Sequence, residues 1–206
     1  MLKKYVVQDK VENDGRVDPR VRRTRQMLQK AFDDLLEEKG FSNITVNDIA
    51  ERADVNRATF YLHFEDKYAL LRYNLRESFT QMLEERLHDE HTFSIGNLQL
   101  LTVTLCEFMS KLYGHCHSDA DSEEMIVILA QLQQHVYDWL LRWFISSGHS
   151  QPAVEYTAVA LSWLVFGTAF QSQITNTKQP PDVWAQQMLT LVTPGLRIIL
   201  EPLAVQ

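Results

Sequence analysis

The sequence predicts an all-α protein, on three observations. Apolar residues recur at spacings of three and four along most of the 206 residues, the period of a helix with one buried face. Residues that start and stop helices stand at the ends of those runs. No stretch of useful length alternates apolar with polar residues, as a half-buried strand would. The composition, 45% hydrophobic and 23% charged, is that of a globular chain with enough apolar surface for a buried core.

A first helix is predicted from Pro19 to Lys39. Asp18 can accept from the unpaired amides of the first turn, and Pro19 at the first helical position has no amide to leave unpaired. Leu28, Ala31, Phe32, Leu35 and Leu36 form one apolar stripe, and Gly40 supplies the left-handed stop. Thr45 and Asp48 are spaced as a capping box opening a helix of about two turns, with Val46, Ile49, Ala50 and Ala53 inward. After Asp54-Val55, Asn56 can cap a third helix, Arg57 to Phe64, on which Phe60 and Phe64 share a face. Five longer helices follow. They are predicted over 67–87; 95–113, with Gly114 as stop; 122–147, with Asp121 and Glu124 as capping pair and Gly148 as stop; 153–175; and 182–200. Pro180-Pro181 cannot continue a helix and separates the last two. The expected organisation is a basic flexible arm over 1–17, a three-helix unit over 18–66 and a larger helical domain over 67–206.

Net charge is −7, which taken alone argues against a polyanionic partner. The average hides a split. Residues 1–80 carry 15 Lys and Arg against 14 Asp and Glu, whereas residues 81–206 carry 5 against 13. Only the first part is electrostatically able to approach a polyanion. Its bases crowd toward one end, at Lys3, Lys4, Lys10, Arg16, Arg20, Arg22, Arg23 and Arg25, although such a run is equally the mark of a solvated leader. Two cysteines, Cys106 and Cys116, are too few for a disulfide framework and read as free thiols of a reducing compartment. Met1 to Val7 has lysines but no apolar run behind it, so a secretory signal is not expected and the cytoplasm is. The most apolar stretch, 158–170, falls short of the ~20 residues a bilayer span needs.

Residues 41–67, FSNITVNDIAERADVNRATFYLHFEDK, bring two short helices together across a tight turn, the arrangement of a helix-turn-helix. In that geometry the second helix enters the major groove of DNA. The side chains facing away from Phe60 and Phe64 are Arg57, Ala58 and Tyr61. Arg57 offers a planar fork suited to guanine O6 and N7, and Ala58 is small enough to admit the backbone or touch a thymine methyl. Thr45, Thr59, His63 and Lys67 are placed for phosphates, which position a protein without reading sequence.

This segment resembles the DNA-binding domain of the TetR family of bacterial transcriptional regulators over about residues 19–70. The resemblance rests on Thr45, Ile49 and Ala50 in a Thr-x-x-x-Ile-Ala pattern, on the Ala53-x-Val55 turn, and on Thr59-Phe60-Tyr61-x-His63-Phe64-x-x-Lys67. It implies DNA-backbone contacts by Thr45, Tyr61, His63 and Lys67. Asp54 departs from the Gly common at this turn, a position Asp tolerates better than most residues.

The acidic remainder is similar in layout to that family's ligand-binding and dimerisation half, without a tight motif. Val154, Leu161, Trp163, Leu164, Phe166 and Phe170, then Val183, Trp184, Met188, Leu191, Val192 and Ile198, exceed what one amphipathic stripe needs. The expectation is a homodimer through the last two helices, about 153–175 and 182–200, holding two reading helices one DNA turn (~34 Å) apart on a palindromic operator. A wholly intramolecular core is the competing account. Phe108, Met109, Tyr113, Leu132, Val136, Tyr137, Trp139, Leu140 and Trp143 are an aromatic and apolar set for a small-molecule effector of unknown identity, or again simply core. A ligand held there would release DNA by changing the spacing of the reading helices.

His88 and His91, and the run His115-Cys116-His117, lack the spacing of known zinc sites, so no metal or cofactor is expected. No nucleophile elbow, phosphate loop or zinc-protease signature is present, which points away from an enzyme. The expected function is a homodimeric transcriptional repressor released by a small molecule. The alternative is a helical protein-binding co-regulator of the same fold that needs neither DNA nor ligand.

Overall fold

The structure, a computed structural model, describes residues 18–87, 92–115, 123–148, 153–175 and 179–200. The basic arm at 1–17 lies outside them, as do His88, His91, Cys116, His117 and the capping residue Asp121. All regular elements among the described residues are helical: α1 (Pro19–Lys39), a single 3-10 turn at Phe41–Asn43, α2 (Val46–Arg52), α3 (Arg57–His63), α4 (Lys67–Glu84), α5 (Ile95–His115), α6 (Glu123–Ser146), α7 (Ala153–Ile174) and α8 (Pro181–Leu200).

The chain forms two compact units, one ending at Asn74 and the other beginning at Leu75, so the division falls within α4. In the first, α1 starts where an Asp18 carboxylate oxygen accepts from the Arg20 amide (2.8 Å). It ends at Gly40, whose φ of +71° no β-carbon obstructs and whose amide donates to the Leu36 carbonyl (3.1 Å). Leu28, Phe32, Leu35, Ile49, Ala50, Phe60 and Phe64 are buried together. The Phe60, Phe64 and Tyr73 rings follow one another at 5.9 and 5.4 Å. Arg25 lies over the Tyr73 ring (5.6 Å), and Asn74 bonds both Asp33 and Gln29, tying the start of α4 to α1.

In the second unit α7 is the central element, packed against α5, α6 and α8. Ala158, Ser162, Val165 and Ala169 line one side of it, all fully buried. Their small side chains let the neighbouring helices come close. Trp143 and Phe144 of α6, Leu98, Leu101 and Leu105 of α5 and Phe79 of α4 fill the rest of the core. Arg86 donates to the Glu107 carboxylate and to Thr104 Oγ1, joining the chain after α4 to α5. Cys106 is a buried free thiol whose pKa burial pushes up to about 11, which leaves it unreactive.

Several helix ends differ from expectation, α4 among them, which ends at Glu84 and not at 87. Gly114 does not stop α5, which runs through it to His115; a glycine inside a helix weakens it without ending it. Pro181 opens α8 rather than preceding it, because proline is favoured in the first turn. Pro194 sits inside α8 and removes the amide that would bond the Thr190 carbonyl. No helix among the described residues is long and apolar enough to cross a membrane.

Candidate nucleic-acid interface

The turn between α2 and α3 is set by local chemistry. Thr45 and Asp48 close a reciprocal capping box at the start of α2. The Asp48 carboxylate accepts from the Thr45 hydroxyl (2.6 Å), the Thr45 amide (2.7 Å) and Lys39 Nζ (2.9 Å), an arrangement that holds its pKa well below the usual carboxylate range. Arg52 grips Glu38 of α1 with both guanidinium nitrogens at 2.7 Å, fixing α2 against α1. Asp54 then takes the left-handed conformation, φ +53°, and the Val55 amide reaches back to the Ala50 carbonyl (3.0 Å). Asn56 caps α3 by accepting from the Ala58 amide (2.8 Å).

With Phe60 buried in the core and Phe64 closing the helix, one side of α3 is fixed inward. The other side faces solvent. Arg57 and Ala58 are exposed, and Tyr61 is 46% exposed. Arg57 and Tyr61, one turn apart, are already joined: a guanidinium nitrogen donates to the Tyr61 hydroxyl (3.1 Å) while the guanidinium carbon stands 5.5 Å from the ring centre. Tyr61 is therefore a support for Arg57, a role the sequence reading missed although an Arg and a Tyr four residues apart on a helix signal it.

The four residues expected at phosphates have unequal surroundings. Thr59 and His63 are half-buried on α3. Thr45 is exposed with its hydroxyl proton directed into the capping box. Lys67 Nζ donates to the carbonyls of Phe41 (3.1 Å), Ser42 (3.4 Å) and Ile44 (2.9 Å), and lies 4.5 Å from the Phe41 ring centre. It ties the start of α4 to the turn that precedes α2.

In the second unit Phe108, Trp139 and Trp143 fall in one run of rings. Phe79 meets Phe108 at 5.4 Å and His135 at 5.7 Å, and Trp139 stands 6.5 Å from His135 and 5.7 Å from Trp143. His135 is buried, bonded through Nε2 to Thr80 Oγ1 (2.9 Å), and burial together with the Arg76 and Arg142 charges pushes its pKa down to about 4. The Trp143 indole N–H is buried with no acceptor among the described residues. Tyr113 is half-buried near the end of α5, and Tyr137, two residues from Trp139 and so on another side of α6, is half-buried, its pKa raised by burial and by the Glu155 and Asp138 charges. Sequence reasoning missed His135, whose signal was a lone histidine four residues before Trp139. Val154, Leu161 and Met188, expected in a dimer surface, are buried in the protomer's own core, because apolar spacing does not distinguish the two sides of a helix that is apolar all round.

Residues 30–73 match the family model described as bacterial regulatory proteins, tetR family. That segment, which holds α2 and α3, is therefore similar to the DNA-binding part of TetR-family regulators. An uncharacterized HTH-type transcriptional regulator of Bacillus subtilis, YxbF, is 40% identical over 74 residues, 35% of this chain and 20% of that protein. The tetracycline repressor class A from transposon 1721 of Escherichia coli is 26% identical over 144 residues, 68% of this chain and 62% of that protein. The match thus spans from a fifth to somewhat under two thirds of these two relatives. Among solved structures, the TetR family repressor AlkX from a Dietzia strain has a TM-score of 0.54 at 18% identity, over 86% of this chain and 98% of that one. That likeness shows an all-helical fold of the TetR kind for the described residues.

Proposed function

We propose that this chain is a transcriptional regulator of the TetR family that binds an operator in double-stranded DNA, acts as a homodimeric repressor in the cytoplasm, and performs no catalysis. The observation that carries the reading is the outward side of α3. Arg57, Ala58 and Tyr61 stand in solvent on a helix whose opposite side is fixed in the core, so a rigid short rod presents a guanidinium fork, a methyl group and a phenol to the major groove. Thr45, Thr59 and His63 approach the phosphate backbone. Lys67 contributes its charge to the same backbone while its N–H groups hold the 41–44 turn. The name of the E. coli relative, a repressor, supports the sign of regulation.

Support for the homodimer comes from α7. One side of it is buried in the protomer, yet the opposite side keeps Trp163 59% exposed beside exposed Leu164, a large apolar area for a single protomer to leave in water. Gly167 lies on the same exposed side, and a β-carbon added there meets nothing within 4 Å in the protomer. A second copy crossing at Gly167 gives that glycine a use. Two reading helices on a two-fold axis then address a palindromic site. The effector, a small molecule bearing a hydrogen-bond acceptor for the Trp143 indole, binds beside Phe108, Tyr113, Trp139 and Trp143 and lowers DNA affinity. Tyr137 stays outside that group.

The test is binding to operator-like and random duplexes as salt rises. About four phosphates neutralised per protomer give a log–log slope near −7 for the dimer. A flat dependence, or no binding at low salt, overturns the reading in favour of a protein-binding co-regulator.

A further inference from the structure

On α3 the pairing of Arg57 with Tyr61 leaves a second strip beside it. Ala58 and Leu62 are also four residues apart, so they share a face, and both stand in solvent. Leu62 is 79% exposed, whereas the other large aliphatic and phenylalanine side chains at 44, 49, 60 and 64 are buried. A leucine in that position adds nothing to the core that fixes the helix. Its side chain is held out on the one part of the first unit that the proposed function brings against base edges.

The major groove offers few apolar features to such a side chain. Base edges there present donors and acceptors, with one exception, the C5-methyl group of thymine. We propose that Leu62, together with the Ala58 methyl, is a sequence-reading residue that seats against the C5-methyl of a thymine in each half-site. The inference rests on the reading of α3 as the groove helix and adds to it a base and a position. Arg57 and Leu62 are five residues apart, or ~7.5 Å along the helix axis, about two base-pair steps. The thymine therefore lies about two steps from the base that Arg57 reads, when the helix follows the groove.

The experiment uses the full chain and a duplex selected by it from a randomised pool. Each thymine of that duplex is replaced singly by deoxyuridine, which removes the methyl group and keeps every hydrogen-bonding atom, and binding is measured by fluorescence anisotropy for the wild type and for Leu62→Ala. The wild type is expected to lose about fourfold in affinity at one thymine per half-site, the Boltzmann factor for one buried methyl group. Leu62→Ala, with an unchanged melting temperature, loses nothing further there and keeps the wild-type response elsewhere. A second selection with Leu62→Gln should change the preferred base at that position and leave the Arg57 position intact. Wild type that ignores every thymine methyl, or Leu62→Ala that keeps the full response, overturns the assignment. A chain that selects no duplex at all refutes the regulator reading itself, a different result from either.

Discussion

The buried imidazole of His135 makes the stability of the second unit dependent on pH in a calculable way. Its pKa is about 4 in the folded chain and ~6.5 in an unfolded one. Thr80, Phe79 and Arg76 from α4 and Trp139 and Arg142 from α6 surround it; none is an anion, so nothing there rewards protonation. Because the unfolded chain binds the proton more tightly, stability is fully present above pH ~6.5 and is lost as pH falls toward 4. Between pH 8 and pH 5 those two values correspond to a loss of about 2 kcal/mol, and to about 3 kcal/mol at pH 4. All four tryptophans of the chain, at 139, 143, 163 and 184, lie in the second unit. Urea unfolding followed by tryptophan fluorescence therefore reports on that unit, at fixed protein concentration to hold any association constant. His135→Gln keeps an amide for Thr80 and has no proton to gain, so its unfolding free energy should fall by about 2 kcal/mol less than that of the wild type over the same interval. Identical pH responses of the two proteins, or an imidazole titrating near 6.5 by NMR, refute the argument.

Three further outcomes are expected. Arg57→Ala should cost about 1–3 kcal/mol at one base position, and Tyr61→Ala, which frees the guanidinium it holds, should lose part of the same preference, whereas Lys67→Ala weakens binding to specific and random duplexes alike; equal losses on both kinds of DNA for Arg57→Ala contradict its reading role. Trp163→Glu or Leu164→Glu should convert the dimer to a folded monomer in light scattering at micromolar concentration with helicity retained, and a wild-type monomer removes the interface assignment altogether. At Asp54, φ +53° means that a β-branched side chain is strained, so Asp54→Val should destabilise the first unit by about 1–2 kcal/mol in thermal melts followed by circular dichroism while Asp54→Gly is tolerated; equal effects of the two changes contradict the backbone argument.

The first unit was legible because its instructions are local. Asp18, the Thr45 and Asp48 pair and Asn56 each bond amides two or three residues away, and so the helix starts follow from the chain order alone. Phe60 and Phe64 sit four apart and could share only one side of a short helix. What the sequence did not convey were interactions that compete for the same side chains. Lys67 is placed for phosphates by pattern, yet its ammonium is bonded to three carbonyls more than twenty residues away. Tyr61 likewise holds Arg57. Leu62 attracted no notice because a leucine between Tyr61 and His63 carries no polar chemistry, and only its exposure singles it out.

The second unit was less legible for a physical reason that α7 makes plain. A stripe of apolar residues records that a surface leaves water, not what it meets. Val154 and Leu161 meet the protomer's own helices, while Trp163 and Leu164, on the same helix and just as apolar, are left in solvent. Periodicity assigns all four to burial with equal force, and only packing divides them. The division also bears on how an effector signal is carried. The helix that presents Trp163 outward packs inward against α5 and α6, which bear Phe108, Trp139 and Trp143. A ligand that reorders those rings therefore presses on the helix proposed to set the distance between two protomers. Coupling of that kind is a difference in binding free energy between two arrangements of the dimer and is reciprocal. Operator DNA should accordingly weaken effector binding by the same factor by which effector weakens operator binding; an effector that binds the free and the operator-bound protein equally well would show that the ring set is not coupled to DNA binding.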